Sequence, residues 1–67
     1  MKLKVNGKVK EYSEDISVLE ILEEEEIIEP VAVELFLNGE KIDFKEFEKI
    51  KLKDSDEIEF IYLFASG

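Results

Sequence analysis

The sequence predicts an α+β fold: one mixed sheet of four to five strands packed on a single helix. Three observations carry that prediction. Two Asn-Gly pairs, Asn6-Gly7 and Asn38-Gly39, each sit between stretches of strand-forming residues, the signature of a tight β-hairpin. One capping pattern, Ser17 with Glu20 three residues later, opens the one stretch with helical spacing. One apolar run, residues 60–64, extends almost to the last residue.

The elements follow in order. In MKLKVNGKVKEY, Leu3 and Val5 alternate with Lys2 and Lys4, and Val9 lies between Lys8 and Lys10. Asn6-Gly7 supplies the two positive-φ residues of a type I′ turn, so the stretch is a hairpin. Ser17 is the N-cap of the helix and Glu20 completes a capping box, with Ile16 and Ile21 placed for a hydrophobic staple. Val18, Ile21, Leu22 and the stem of Glu25 line one side. The acidic run of residues 23–26 is an exposed face. It opposes the helix dipole at the carboxyl end, so the helix should be short or frayed there. Pro30 cannot continue it and constrains Glu29. VAVELFL, residues 31–37, is too apolar for an edge and predicts an interior strand, placed beside the first strand. Asn38-Gly39 turns the chain into a short strand at residues 40–42. Residues 44–47 form a helical turn that tucks Phe47 inward, residues 49–53 a short extended piece, and residues 54–56 an acidic turn. Residues 57–64 form the last strand.

Hairpin, helix, strand, short strand and strand assemble most economically as one sheet with the helix on one face. The first and last strands become parallel neighbours at the centre. That is the β-grasp, or ubiquitin-like, arrangement, with an unrelated α+β roll as the alternative. Residues 1–67 make one domain with a short flexible tail at residues 65–67. Side chains alternate across a strand. Ile58, Phe60, Tyr62 and Phe64 share one face of the last strand, and Glu59, Ile61 and Leu63 the other. The first set is the more aromatic, so Ile58 and Phe60 belong to the core and Tyr62 to its edge. Ile61 and Leu63 are left on the open face, where clustered apolar groups suggest a contact surface.

Composition excludes much chemistry. The chain has no Cys and no His, hence no disulfide, no Cys/His zinc site, no redox thiol and no Ser-His pair. Its 18 acidic residues mostly solvate it, and a domain this small has little room for the desolvated pocket that a carboxylate acid needs. The reading is therefore not an enzyme, with no bound cofactor and no metal. A net charge of −9 argues against nucleic acid and anionic membranes and favours solubility. The absence of Gln, Cys and Thr beside abundant Glu, Lys and Ile points to a thermophilic origin. No signal peptide or long apolar run is present, so the expected location is cytoplasmic.

The end of the chain raises the functional question. Four extended residues after Leu63 reach about 13 to 14 Å. Ala65, Ser66 and Gly67 are small enough to thread a narrow channel, and glycine leaves the α-carboxylate unhindered. Such an acid, once coupled to AMP, becomes open to attack by a sulfur or nitrogen nucleophile. The plain alternative is an ordinary frayed terminus.

Over nearly its whole length, and most clearly from Leu37 on in LNGEKIDFKEFEKIKLKDSDEIEFIYLFASG, the chain resembles the ThiS-type sulfur carriers of thiamine biosynthesis, within the β-grasp superfamily that includes ubiquitin. Asn38-Gly39 matches the family's turn, Phe47 its aromatic, Asp54 and Asp56 its acidic turn, and Gly67 its terminal glycine. The chain departs at Asp43-Phe44, where the family has Pro-Arg, at Ser55 in place of a turn glycine, and at Ser66 in place of the penultimate glycine. The resemblance implies that Gly67 is the site of adenylation and thiocarboxylate formation, with Ala65 and Ser66 as its tail and Ile61, Leu63 and Phe64 docking partners. Those partners would be an E1-like adenylating enzyme that uses Mg-ATP, a cysteine desulfurase or sulfurtransferase, and thiazole synthase. The alternatives are a β-grasp interaction module that never reacts at its end, or a sulfur carrier for molybdenum or tungsten cofactor synthesis.

Overall fold

The computed structural model describes residues 1–27 and 32–63. Five strands form one sheet: β1 (Lys2–Val5), β2 (Lys8–Glu11), β3 (Val33–Leu37), β4 (Glu40–Ile42) and β5 (Glu57–Tyr62). Their spatial order is β2-β1-β5-β3-β4. One helix, α1 (Val18–Glu24), and one 3₁₀ turn, Phe44–Glu46, complete the elements of the described residues.

Both hairpins form where the Asn-Gly pairs place them. Asn6 and Gly7 have φ of 48° and 85°, and Asn38 and Gly39 have 52° and 85°. These left-handed values match the twist of the flanking strands. Each hairpin leaves one strand edge unpaired, and β5 fills the gap between the two. It runs parallel to β1, with Val5 opposite Ile58, and antiparallel to β3, with Leu35 opposite Phe60. β3 is thus an interior strand, but its neighbours are β5 and β4 and not β1. Pairing β3 with β1 would have left β5 at an edge and stranded its apolar face in water.

Ser17 caps α1 as its spacing requires. The Glu20 amide donates to Ser17 Oγ and the Ser17 amide to Glu20 Oε1, each at 3.1 Å. The helix is only seven residues long, and Glu26 just beyond it sits at φ 63°. Its last turn carries no basic residue of its own, so its acids oppose the dipole there, relieved only at Glu25 by a lysine from β2. Val18, Ile21 and Leu22 are buried against Leu3, Val5, Leu35 and Ile58 of the sheet. Phe47 and Leu52 close the core from the loop side, Phe47 at 1% exposure. Residues 49–53 have no ladder partner, and the piece expected to begin at Lys49 starts later, because the Lys49 and Ile50 amides still donate to Glu46 O at 2.9 and 3.1 Å. Leu52 is buried and Ile50 packs against the core, which anchors this segment without a sheet. The break expected at Glu29 and Pro30, the strand start at Val31 and the strand end at Phe64 lie outside the described residues.

Lys10 lies opposite Leu3 in the β1–β2 register and so points to the helix side of the sheet. There its Nζ meets Glu25 Oε2 at 2.5 Å. An inward charge on an edge strand discourages pairing with a second copy. The hydrogen bond to Glu25 raises the Lys10 pKa above its ordinary 10.5. Burial raises that of the neighbouring Tyr12 above 10.0.

Two outcomes follow from this frame. Ser55 occupies φ 75°, a conformation that favours glycine. Ser55→Gly should raise stability by up to about 1 kcal/mol, measured by urea unfolding. A fall would show that the Ser55 hydroxyl, 3.5 Å from Asp54 Oδ2, matters more than the backbone. Lys10 and Tyr12 both hold their protons more tightly folded than unfolded. Their contribution is therefore complete below pH 10 and is lost as pH rises through the raised folded values. Unfolding curves taken across the alkaline range should show this decline, and Lys10→Met should remove the lysine's share while leaving the share of Tyr12, whose pKa Lys10 otherwise lowers.

Candidate functional site

The strand that leads to the tail is held by side chains as well as by main chain. In the parallel β1–β5 ladder the Ser55 amide donates to Lys2 O, the Lys4 amide to Asp56 O and the Asn6 amide to Ile58 O, at 2.7, 2.9 and 2.9 Å. After Asn6 the main chain turns away. The ladder continues all the same, because the Phe60 amide donates to Asn6 Oδ1 at 3.0 Å. At its other end it is extended by Asp54, whose Oδ1 accepts from the Lys2 amide at 2.7 Å. The second hairpin turn grips β5 in the same way. The Glu57 amide donates to Asn38 Oδ1 at 2.9 Å, and Asn38 Nδ2 donates to Asp56 Oδ1 at 3.0 Å. Asp56 Oδ2 also accepts from the Lys53 amide at 2.8 Å.

These four side chains therefore do more than their turn chemistry suggests. Asn38 and Asp56 together join the β3–β4 turn to the acidic turn, and both join β5. The sequence shows Asn6 and Asn38 as hairpin residues and Asp54 and Asp56 as a polar turn. A trace of the second role is visible in it. A backbone that needs only φ > 0 accepts Gly, whereas Asn at both positions brings a side-chain oxygen as well.

Along β5 the environment changes. Ile58 is fully buried and Phe60 packs on the core, while Ile61, Tyr62 and Leu63 are 56%, 58% and 49% exposed. The Tyr62 face therefore emerges from the core one residue pair beyond Phe60, so both faces are open at the strand's end. The Leu63 amide still donates to Ala32 O at 2.9 Å, which keeps the backbone against β3's side of the sheet. Ile61 lies opposite Glu34 and Glu59 opposite Phe36. The open face thus presents apolar Ile61 and half-buried Phe36 among Glu34, Glu57 and Glu59. Lys4 and Lys41 reach Glu57 and Glu34 at 3.6 and 3.9 Å, exposed pairs that contribute little. Phe64, Ala65, Ser66 and Gly67 lie outside the described residues.

The departure at Asp43-Phe44 is mild in the backbone. Asp43 sits at φ −70°, ψ 145°, a conformation that proline adopts without strain. Phe44 is 46% exposed and meets Phe47 edge-on, with ring centroids 5.4 Å apart. Among the described residues no three His, Cys, Asp or Glu side chains are grouped to hold a metal ion. None of their helices is long and apolar enough to cross a membrane.

Fold and surface define a ubiquitin-like β-grasp domain that presents an apolar patch at the end of its central strand. A model described as the ThiS family matches residues 3–67, and the chain belongs to that family, whose members are small sulfur carriers and not catalysts. The crystal structure of a thiamine biosynthesis protein (ThiS) from Geobacter metallireducens is 33% identical, with a TM-score of 0.82 and all of both chains covered. A solution NMR structure of a thiamine biosynthesis protein from the same organism is also 33% identical, with a TM-score of 0.80. It is matched over all of this chain and 88% of that one. A comparison with functionally curated proteins gave no match.

The exposed patch and the buried strand face should separate in mutants. Leu63→Asp should leave the unfolding free energy within about 0.5 kcal/mol of wild type, and Ile61→Asp, which sets a carboxylate opposite Glu34, should cost no more than about 1 kcal/mol. Ile58→Ala should cost about 2 to 5 kcal/mol through the cavity it leaves. Equal losses in all three, measured by denaturant titration, would make Ile61 and Leu63 structural.

Proposed function

We propose that this chain carries sulfur as a thiocarboxylate on Gly67 and delivers it for synthesis of the thiazole of thiamine. The family match carries this reading, because it runs through residue 67 and includes the small-residue tail. The Geobacter relative, solved both by crystallography and by NMR, supports the thiamine assignment. In the proposed cycle an E1-like partner brings Mg-ATP. The Gly67 carboxylate attacks the α-phosphorus, and pyrophosphate leaves. A persulfide sulfur supplied by a cysteine desulfurase or sulfurtransferase then displaces AMP from the acyl carbon, and a second thiol cleaves the resulting acyl disulfide, releasing the thiocarboxylate and itself ending in a disulfide. Thiazole synthase accepts the sulfur.

This chain's own part is positional. β5 fixes where the tail departs, Ala65 and Ser66 give it slim reach, and Ile61, Leu63 and Phe64 dock the partners. The acidic rim of Glu34, Glu57 and Glu59 around Ile61 and Phe36 suits a partner face with basic residues at its edge. Ser66 adds a Cβ and a hydroxyl where the family has glycine. The partner channel for this carrier would have to accommodate them.

Intact-mass measurement tests the reading. Incubation with an adenylating enzyme, ATP and a sulfur source should add about 16 Da as one oxygen becomes sulfur. Ile61→Asp should abolish the gain while the protein stays folded. Failure of wild type beside success of Ser66→Gly would make the native tail defective. Failure of both would leave an interaction module that never reacts at its end.

A further inference from the structure

Asn6 and Asn38 are the only side-chain amides in the chain, which has no Gln, and both precede glycine. Asn-Gly is the pair most open to spontaneous deamidation, because glycine leaves its own amide nitrogen unshielded. A Cβ built at Gly7 or Gly39 would meet nothing within 4 Å, so no neighbouring group crowds either glycine, and ring closure requires only that the asparagine side chain leave its hydrogen bonds. The two asparagines nonetheless do different work. The bond from Asn6 to β5 uses its carbonyl oxygen. Asn38 uses both ends of its amide, accepting from the Glu57 amide and donating to Asp56 Oδ1. A reversed amide would set its NH2 against the Glu57 N–H, so the orientation is fixed by its partners.

We propose that Asn38 is a deamidation site whose modification uncouples the β3–β4 turn from the acidic turn and so loosens the central strand, whereas deamidation at Asn6 to aspartate is tolerated. The Gly39 nitrogen, losing its proton to solvent, attacks Asn38 Cγ. A C–N bond forms, and Nδ2 leaves as ammonia. Water then opens the succinimide to aspartate or isoaspartate. The net change is one water consumed, one ammonia and one proton released as ammonium, and one negative charge gained by the protein. An aspartate at 38 cannot donate to Asp56, and it sets a second carboxylate against Asp56 Oδ1 where a 3.0 Å hydrogen bond had been. Isoaspartate would also lengthen the backbone of a two-residue turn and break the β3–β4 register. An aspartate at 6 keeps the acceptor that Phe60 needs.

The inference concerns the strand and holds whatever the tail carries. The test ages the purified full chain at mildly alkaline pH, maps gains of about 1 Da by peptide mass spectrometry, and compares variants by thermal unfolding. N38D should lower Tm by roughly 5 to 10 °C, and N6D should stay near wild type. The exchanged pair N38D/D56N restores a donor opposite an acceptor and still offers an oxygen to the Lys53 amide, so it should recover most of the loss. Aged protein modified at residue 38 should melt with N38D. Equal melting of N38D and N6D, no recovery in the exchanged pair, or no product at residue 38 in folded protein would each overturn the proposal.

Discussion

The structure depends on how β5 is held between two hairpins. A strand added between two preformed edges has to match a parallel neighbour on one side and an antiparallel one on the other. Its backbone groups are costly to leave unpaired. Main-chain bonds supply most of the partners. Where the hairpin turns carry the main chain away, Asn6 and Asn38 substitute their side-chain oxygens; Asp54 takes the Lys2 amide of β1, and Asp56 holds the Asn38 side-chain amide and the Lys53 amide of its own turn. The ladder on β5 is therefore longer than the strands beside it.

That arrangement reconciles two demands on one segment. Ile58 must sit in the core, because a domain this small has few residues to bury. Ile61 and Leu63, a few residues on, are exposed. A loosely attached strand would satisfy the second demand at the expense of the first. Side-chain caps on both flanks let the strand stay rigid to its end while its last residues face outward. In a carrier, a defined point of departure limits the volume the tail must search.

Charge plays a subsidiary part. The surplus of acids is spread over exposed positions, and the described ion pairs on the open face are solvent-exposed and weak. Lys10 is the exception, since its place on the helix side of an edge strand brings it to Glu25. The acidic run after Glu23 has the opposite effect. With no cation in the last turn, the helix ends at Glu24 and the chain leaves it through a left-handed residue.

The sequence by itself determined the local structure. Asn-Gly pairs specify their turns through backbone preference, Ser17 and Glu20 specify the helix start through their own hydrogen bonds, and period-two alternation assigns Ile58 to one face and Ile61 to the other. All of these act within a few residues, so they can be read along the chain. The small tail and the acidic turn were likewise legible, and with them the resemblance to sulfur carriers. Only the tertiary structure decided that β3 lies beside β5 and not β1, that residues 49–53 need no strand partner, and that Asn6 and Asn38 cap the central strand while Asp54 and Asp56 tie down the turn that leads into it. Those outcomes join residues far apart in sequence, such as Asn6 with Phe60. Pattern along the chain carries no record of such a pairing, because it arises only when both hairpins close on the same strand.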